Sequence, residues 1–413
     1  MKIAIVGAGI AGLCCASLLH GTHDITVFEA GAYLGGHTNT VEVSHEGRTI
    51  PVDTGFIVFN ARNYPNFCAL LDRLNVASQP TTMSFSVRSD RTGLEYGGND
   101  LFGLFAQPTN ILRPSFLRMV RDIIRLGKTG KALLAATDDG QTLADLCASG
   151  RFSKEFIDHY LVPMGAAIWS APRESMMAFP ARFFLRFFDH HGMLDLRQRP
   201  QWRTISGGSR RYVQAMTAPF QANCRLRCSV RSVQRSSGAI RIESAAGPER
   251  FDHAILAVHA DQALAMLADA TAHEREILSA LPFQPNEAIL HTDESVLPTR
   301  RRAWAGWNYR ITDRDNDPVA VTYNMSILQS LDTRTPLCVT LNDRASIKPA
   351  KIIRRFQYHH PLYTVPGEAA RTRWSEISGR ANTHYCGAYW GNGFHEDGVN
   401  SALAVCRELG VTP

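Results

Sequence analysis

The chain has 413 residues, of which 45% are hydrophobic and 20% are charged, the composition of an ordinary soluble globular protein. This length exceeds what one hydrophobic core usually supports, so we expect two domains. The net charge of +6 is too modest to indicate nucleic-acid binding, but it favours anionic ligands or an anionic membrane surface. No uninterrupted apolar segment is long enough to span a bilayer.

The cysteines bear on the compartment and on metal binding. The nine cysteines are scattered, and several lie in apolar runs, as Cys14 and Cys15 do. This usage predicts reduced thiols and a cytoplasmic protein. Cys224 and Cys228 have no companion histidine or cysteine nearby, so we expect no metal site.

The strongest pattern in the chain is a glycine turn after its first strand. Lys2–Val6 predicts a buried strand, and Gly7, Gly9 and Gly12 follow it at once. In the dinucleotide fingerprint, such glycines make the tight turn, let backbone approach a pyrophosphate, and let the helix close on the strand. We therefore predict a dinucleotide site here.

The residues after the glycines support this prediction. A helix at residues 13–20 would direct its N-terminus at the pyrophosphate, and a strand at 25–28 ends at Glu29, whose carboxylate can accept ribose hydroxyls. An acid at this position disfavours a 2′-phosphate, so FAD or NAD fits better than NADP. The alternatives are a signal peptide and a purely structural turn; the glycine spacing argues against the first, and its combination with the acid argues against the second.

Further along, Gly35 and Gly36 precede His37 and Thr38 and could again lie against a phosphate or a flavin edge. The pattern then predicts a hairpin at residues 41–52, a helix within 63–74 and a strand at 83–87.

Residues 101–136 are apolar and basic together. We predict a helix from Ser115 that carries one basic stripe beside an apolar one. The stripe consists of Arg118, Arg121, Arg125 and Lys128, and its apolar neighbours are Leu117, Val120, Ile123 and Ile124. Two interpretations stay open: an ordinary solvated face, or a helix lying on an anionic membrane.

The rest of the chain first continues outside the predicted nucleotide domain and then returns to it. We predict a helix at residues 145–160, a loop-rich stretch at 161–180 and an aromatic core segment at 179–188. A glycine turn at 202–209, a helix at 211–216 and strands at 226–233, 239–243 and 251–258 indicate a return to the nucleotide domain. A strand and turn at 385–390, a glycine turn at 391–398 and a helix at 399–409 close the chain, with that helix N-terminus facing a ligand.

The N-terminal glycines with Gly35 and Gly36, the strands of residues 225–257 and the C-terminal turn and helix together resemble the flavin-dependent amine oxidases, phytoene desaturases and protoporphyrinogen oxidases. The motifs HTNT at 37–40, DTGFIVFN at 53–60, PQWR at 200–203 and GNGFHEDG at 391–398 look most like the FAD-binding oxidoreductases associated with cyclopropane and methyl-branched fatty acid synthesis. The resemblance implies an α/β fold with a Rossmann-like FAD-binding domain of the glutathione-reductase type and an interleaved α+β substrate domain. We expect the FAD domain at 1–60, 203–260 and 381–413, and the substrate domain at 61–202 and 261–380.

The resemblance also implies FAD as the cofactor and assigns its contacts. The residues implied to contact FAD are Gly7, Gly9, Ile10, Ala11, Gly12, Glu29, Ala30, Gly36, His37, Thr38, Phe59, Asn60, Val230, Gly387, Phe394, His395 and Val399. Tyr389 and Trp390 would form an aromatic wall against the substrate.

Three departures from the superfamily bear on the chemistry. His37 stands where the superfamily usually has arginine, so the phosphate contact there is weaker or different. Amine oxidases commonly place a lysine near flavin N5, and residues 286–292, where it would fall, contain none. Phe394 occupies a position of the aromatic amine cage and lacks a hydroxyl.

A flavin accepts hydride from activated carbon and not from an unactivated methylene. The leading interpretation is therefore an FAD-dependent oxidoreductase that dehydrogenates, or desaturates, a fatty-acyl or lipid substrate at an allylic position by hydride transfer to flavin N5. A base must take the second proton, and His37, His395 and Glu396 are the candidates by motif position. The alternatives are a flavin amine oxidase and a non-catalytic FAD-binding partner of a lipid-modifying methyltransferase.

The partners we expect are a small-molecule or lipid substrate, an anionic membrane surface and such a methyltransferase, with no nucleic acid. The expected location is the cytoplasm, with a peripheral position at the inner face of the membrane as an alternative.

Overall fold

The computed structural model describes residues 1–98, 100–136, 140–169, 173–194, 200–236, 238–312 and 320–411. The strands in chain order are β1 (Lys2–Val6), β2 (Asp24–Phe28), β3 (Thr40–His45), β4 (Arg48–Asp53), β5 (Phe59–Asn60), β6 (Ser78–Pro80), β7 (Phe85–Ser89), β8 (Glu95–Gly97), β9 (Trp202–Ile205), β10 (Cys224–Arg225), β11 (Val230–Ser236), β12 (Ala239–Ser244), β13 (Gly247–Phe251), β14 (His253–Leu256), β15 (Phe283–His291), β16 (Trp307–Ile311), β17 (Ala320–Asn324), β18 (Cys338–Leu341), β19 (Ile352–Pro361) and β20 (Thr383–Tyr385). The helices are α1 (Ile10–Leu19), α2 (Pro65–Arg73), α3 (Leu101–Leu104), α4 (Pro114–Ala135), α5 (Leu143–Ser149), α6 (Lys154–Phe156), α7 (Val162–Trp169), α8 (Arg173–Met177), α9 (Ala181–His190), α10 (Arg210–Thr217), α11 (Ala260–Met266), α12 (Ala272–Ser279), α13 (Met325–Leu328), α14 (Val365–Arg371) and α15 (His395–Glu408).

A parallel sheet in the order β10-β2-β1-β14-β20 forms the first layer of the fold. Successive side chains of β1 point to opposite faces, so Ile3 and Ile5 pack against α1 and α15, while Ala4 and Val6 pack against β11, β12 and β13. A parallel sheet needs both faces covered, and these elements cover them. The predicted Rossmann-like α/β fold is confirmed.

A mixed sheet in the order β19-β15-β18-β17-β16-β7-β8 forms the second layer. Its β7 runs parallel to β16, and the other neighbouring strands are antiparallel. Strands from before residue 100 and after residue 280 therefore meet in one sheet. The domain boundaries given above stay a prediction.

Two predicted segments differ from the structure. The helix predicted at 145–160 is broken, because Gly150 ends α5 and Arg151 adopts φ +49°. The Ser153 hydroxyl then accepts the Phe156 N–H and starts α6, which runs through a π turn at Ile157–Leu161 into α7.

The loop-rich stretch predicted at 161–180 was therefore wrong for α7 and α8. The sequence of α7 is apolar all round because the helix is largely buried, and such a helix shows no 3.6-residue pattern. Residues 170–172 of that stretch lie outside the described residues.

Smaller differences concern helix starts. Helix α1 begins at Ile10 and α15 at His395, three and four residues earlier than predicted. All nine cysteines are free thiols. In the ranges given above, no helix combines the length and the apolar character needed to cross a bilayer.

Candidate functional site

The first glycine turn contains two kinds of glycine: Gly7 and Gly12 are required by the fold, and Gly9 leaves room for a ligand. Gly7 has φ +101°, and a Cβ there would lie 2.4 Å from the Ala257 carbonyl oxygen. A Cβ on Gly12 would lie 2.0 Å from the Gly7 carbonyl oxygen. A Cβ on Gly9 would meet no protein atom within 4 Å. Gly9 therefore borders open space at the N-terminus of α1, where no side chain caps the free N–H groups.

Glu29 stands beside this turn at the carboxyl end of β2. Its Oε2 accepts the Ala8 N–H at 3.0 Å, and its Oε1 accepts the Gly31 N–H at 2.6 Å. These bonds fix the carboxylate and leave lone pairs on both oxygens for hydroxyl groups.

The second glycine pair contacts the first turn. The Gly35 N–H donates to the Ala8 carbonyl at 2.8 Å, and a Cβ on Gly36 would lie 3.0 Å from the Gly9 Cα. Gly36 has φ +59°, which favours glycine. The two turns therefore form one edge of a common cleft.

A cavity of about 760 Å³ opens from this cleft, within the range of about 300–1,000 Å³ typical of small-molecule sites. The predicted cofactor residues that line it are Gly7, Gly9, Ile10, Ala11, Glu29, Ala30, Gly36, His37, Val230, Gly387, Phe394 and His395. The cavity brings together residues from both ends and the middle of the chain.

The other five predicted cofactor residues lie behind the wall. They are Gly12, Thr38, Phe59, Asn60 and Val399. Thr38 is buried with its hydroxyl 2.6 Å from that of Tyr212, and Phe59 and Val399 belong to the core around α1. Asn60 accepts the Asn63 N–H, and residues 55–58 line the cavity in place of 59–60. Their contacts to FAD stay a prediction.

Glu396, one of the three candidate bases, caps the N-terminus of α2. Its Oε1 accepts the Asn66 N–H at 3.0 Å, and its Oε2 accepts the Phe67 N–H at 2.9 Å, both in the first turn of α2. Glu396 is not among the described residues that line the cavity. Its carboxylate is committed to satisfying two backbone N–H groups that α2 leaves free.

His395 lines the cavity but its ring is also engaged. The Nε2 lies 3.0 Å from the Thr38 hydroxyl and 3.1 Å from the Tyr212 hydroxyl. The ring stacks on Phe56 with centroids 3.5 Å apart. Burial holds the pKa of His395 well below its usual range, so the ring is neutral at pH 7.

His37 lines the cavity, and one of its ring nitrogens is buried without a described partner. Its ring stacks on Tyr358 with centroids 5.0 Å apart, and its Nε2 has no hydrogen-bond partner in the part of the chain that is described. Burial lowers the pKa of His37 to about 4. The nearby His259 and His360 have pKa values of about 3 for the same reason. His37 is therefore a neutral proton acceptor at pH 7.

The far end of the cavity is aromatic, and sequence reasoning assigned it no function. Its lining includes Trp169 of α7, Phe187 and His191 from the α9 region, Trp307 of β16, Tyr323 of β17, and Tyr363. These residues share no spacing in the chain, so no motif could have grouped them. Among the described lining residues the one carboxylate is Glu29, which lies at the glycine end.

Three hydrogen-bond donors at this end are buried without a described partner: Trp169 Nε1, Trp307 Nε1 and the Tyr363 hydroxyl. Tyr363 stacks on Phe183 at 4.9 Å and lies 4.6 Å from the Arg371 guanidinium. A Cβ on Gly393 would lie 2.5 Å from its hydroxyl oxygen, so that hydroxyl faces the turn before Phe394. Buried donors left unpaired cost free energy, which a bound acceptor would recover.

The two residues predicted to form the substrate wall, Tyr389 and Trp390, lie in different surroundings. Tyr389 lines the cavity, with its ring 5.7 Å from that of Phe283. Trp390 packs against the neighbouring core and is not among the described lining residues.

The open space at Gly9, the uncapped start of α1 and the anchored Glu29 fit the pyrophosphate and ribose of FAD. The family model for flavin containing amine oxidoreductases matches residues 10–327. The chain belongs to this family.

Similar proteins include a sequence relative and two solved structures with the same fold. The chain is 24% identical over 271 residues to AofH of Mycobacterium tuberculosis, which is named provisionally as a flavin-containing monoamine oxidase; the match covers 62% of this chain and 57% of that protein. Cyclohexylamine oxidase from Brevibacterium oxydans superposes with a TM-score of 0.72 at 15% identity, over 99% of both chains. A conjugated-linoleic-acid (CLA)-producing fatty acid isomerase from P. acnes superposes with a TM-score of 0.71 at 18% identity, over 98% of both.

Proposed function

We propose that this FAD-dependent oxidoreductase dehydrogenates a fatty-acyl or lipid substrate at an activated allylic position. The observation that carries the proposal is the aromatic end of the cavity, whose described lining contains no carboxylate and includes side chains with buried, unpartnered donors. The resemblance of the four motifs to lipid-associated FAD proteins points the same way. The fatty acid isomerase with the same fold is a further support.

The lining chemistry favours an acyl substrate over an amine. An indole N–H can only donate, and an ammonium group can only donate as well, so neither satisfies the other. A carbonyl or carboxylate oxygen can accept from Trp169 and Tyr363, while aromatic rings cover an alkyl chain. The cavity thus suits a long apolar molecule with an oxygen acceptor.

Bound FAD would supply the hydride acceptor. Forming a double bond also releases a proton from the adjacent carbon, and a base must hold it. Of the three candidates, His37 alone combines a place in the lining with an Nε2 that has no described partner. We therefore assign the proton to His37 Nε2.

A flavin amine oxidase is the second candidate, because curated and structural relatives carry that activity in their names. Against it, β15, the strand in which the usual lysine would fall, has the sequence FQPNEAILH. Phe394, in the cage position, faces Phe187 at 5.0 Å and brings no hydroxyl.

The test is anaerobic mixing of the FAD-loaded protein with unsaturated phospholipid or fatty acid on one side, and with benzylamine or a polyamine on the other. We expect the flavin absorbance to bleach with the lipid and not with the amine. Bleaching by an amine on the order of once per second or faster would select the amine oxidase. No bleaching by either class would favour a non-catalytic partner of a lipid-modifying methyltransferase. Mass spectrometry of lipids from cells with and without the protein would identify the acyl chain.

A further inference from the structure

Exposed apolar side chains are concentrated in one part of the surface. Among the described residues, eleven large apolar side chains are exposed, and six of them fall within residues 101–124. They are Leu101 (72% exposed), Phe102 (78%), Ile111 (59%), Leu112 (81%), Leu117 (45%) and Ile124 (50%). Single exposed apolar residues are ordinary, but a concentration of this kind marks a contact surface.

Helix α4 contributes an organised face. Phe116, Met119 and Leu126 are buried against the core of the second layer. On the opposite side, Leu117, Arg121, Ile124 and Lys128 are spaced by four, three and four residues, and all four are exposed. This spacing places them in one row along the helix, with apolar and basic side chains alternating.

The segment before α4 continues this surface. The Phe105 ring lies 5.9 Å from that of Phe116, which holds the segment after α3 onto the first turn of α4. The 3₁₀ turn Pro108–Leu112 then exposes Ile111 and Leu112 immediately before the helix. We call α3, this turn and the exposed row of α4 the docking face.

Positive charge surrounds the docking face. Residues 101–136 contain six basic residues, Arg113, Arg118, Arg121, Arg125, Lys128 and Lys131, and one acidic residue, Asp122. Helix α3 also contacts the turn Arg301–Ala303. Arg300, Arg301 and Arg302 are exposed there; Arg300 pairs with Glu95 and Arg301 pairs with Glu294.

Three members of the predicted basic stripe contact acidic residues of the protein. Arg118 lies 2.8 Å from Glu155, Arg125 lies 3.3 Å from Asp122 and 4.3 Å from the Phe152 ring, and Arg121 lies 3.8 Å from Asp122. The Arg121 side chain is nevertheless 70% exposed, and Lys128 is exposed in the same row as Leu117 and Ile124. The outward-facing charge is therefore interleaved with the outward-facing apolar residues.

We propose that the docking face binds a bilayer that contains anionic phospholipid. Phe102, Leu112 and their apolar neighbours enter the boundary between headgroups and acyl chains, while Arg121 and Lys128 contact lipid phosphates. Apolar insertion combined with positive charge is the signature of an interfacial element, and it distinguishes this surface from an interface between two copies, where the same cations would face each other. The inference does not depend on the reaction proposed above.

The test is sedimentation of the FAD-loaded full chain with vesicles of phosphatidylcholine, with and without phosphatidylglycerol. We expect binding to the anionic vesicles that weakens as salt rises. The variants Phe102→Ser with Leu112→Ser, and Arg121→Gln with Lys128→Gln, should each weaken binding by roughly tenfold. The matched controls are Leu226→Ser with Ile353→Ser, and Arg241→Gln with Arg250→Gln, which remove the same kinds of exposed side chain elsewhere and should change binding little.

Flavin occupancy and melting temperature of each variant verify that it is folded. Equal binding by the docking-face variants and their controls would overturn the proposal. The protein could instead fail to bind the vesicles and form a dimer, measured by sedimentation velocity. If the Phe102→Ser, Leu112→Ser variant lost that dimer, the docking face would be an interface with a second copy, and the proposal would again be overturned.

Discussion

The two ends of the cavity are built in different ways. The glycine end is made by contiguous chain: a strand, a turn, a helix start and an acid within the first thirty residues, with backbone groups facing the ligand. The aromatic end is made by side chains from α7, β16, β17 and the segment before α14. Backbone recognition depends on local conformation, whereas side-chain recognition here depends on the packing of the whole fold. The glycine end can therefore be shared by the members of a family, whereas the aromatic end can differ between members with different substrates.

The sharpest test at the glycine end compares two glycines in one turn. Gly9 has φ −77° and ψ −176°, which alanine adopts without strain, and its Cβ would point into the cleft. We expect Gly9→Ala to fold normally and to lose FAD affinity on the order of a hundredfold, or about 2.7 kcal/mol, by titration of the apoprotein.

The matched variant is Gly12→Ala, whose Cβ would collide with the Gly7 carbonyl oxygen. It should lower the melting temperature, whereas Gly9→Ala should not. Full FAD occupancy in Gly9→Ala would show that the turn does not hold the cofactor.

The connection between the layers can be tested at Asp53, which is fully buried. Its carboxylate accepts the Thr40 hydroxyl at 2.5 Å, the Ser209 N–H at 2.9 Å and the Gln329 amide at 3.1 Å. Asp53→Asn would place an amide donor against these donors. We expect a loss of about 2–4 kcal/mol in the free energy of unfolding, measured by urea denaturation.

Asp53 also predicts a pH dependence. Burial raises the pKa of its carboxyl to about 6, above the ordinary value of 3.8, so the folded state binds the proton more tightly than the unfolded state. Its contribution to the free energy of unfolding therefore falls as pH rises from about 4 to about 6, and is constant above that. The difference between wild type and Asp53→Asn should show this slope; a difference independent of pH would contradict the assignment.

At the aromatic end, the donors can be removed without removing the rings. Tyr363→Phe keeps the stacking on Phe183 and the contact with Arg371 while deleting the hydroxyl. We expect kcat/KM for the acyl substrate to fall about tenfold, or about 1.4 kcal/mol, with FAD affinity unchanged.

Tyr309→Phe is the matched control, because Tyr309 is not among the described lining residues. If the two variants lose the same amount of activity, the Tyr363 hydroxyl does not bind the substrate.

The last test compares two of the candidate bases, and its Glu396 variant has the smallest expected loss of stability. Glu396→Gln weakens the cap on α2, which should cost about 1 kcal/mol of stability and leave flavin reduction intact. His37→Gln should abolish fast reduction with FAD still bound. Stopped-flow absorbance measures both, and the reverse result would make Glu396 the base.

The sequence predicted the glycine end because its requirements are local: a strand pattern, glycines at fixed offsets and an acid at a strand end. It predicted no part of the aromatic end, because Trp169, Trp307 and Tyr363 approach one another only through tertiary packing. His395 and Glu396 show a limit within a single motif. Neighbouring residues on a helix point about 100° apart, so one faces the cavity and the other caps α2.

The order of strands in the parallel sheet has a consequence for biosynthesis. Strand β1 is synthesised before the other strands of this sheet, but its neighbour β14 pairs with β20, and α15, which packs on α1, ends at residue 408. At roughly 5–20 residues per second, about 20–80 seconds separate the synthesis of β1 from that of β20. During that interval the nascent nucleotide site exists without one edge of its sheet or the helix that closes it. A nascent chain therefore acquires its complete cofactor cleft only after residue 408 has been synthesised.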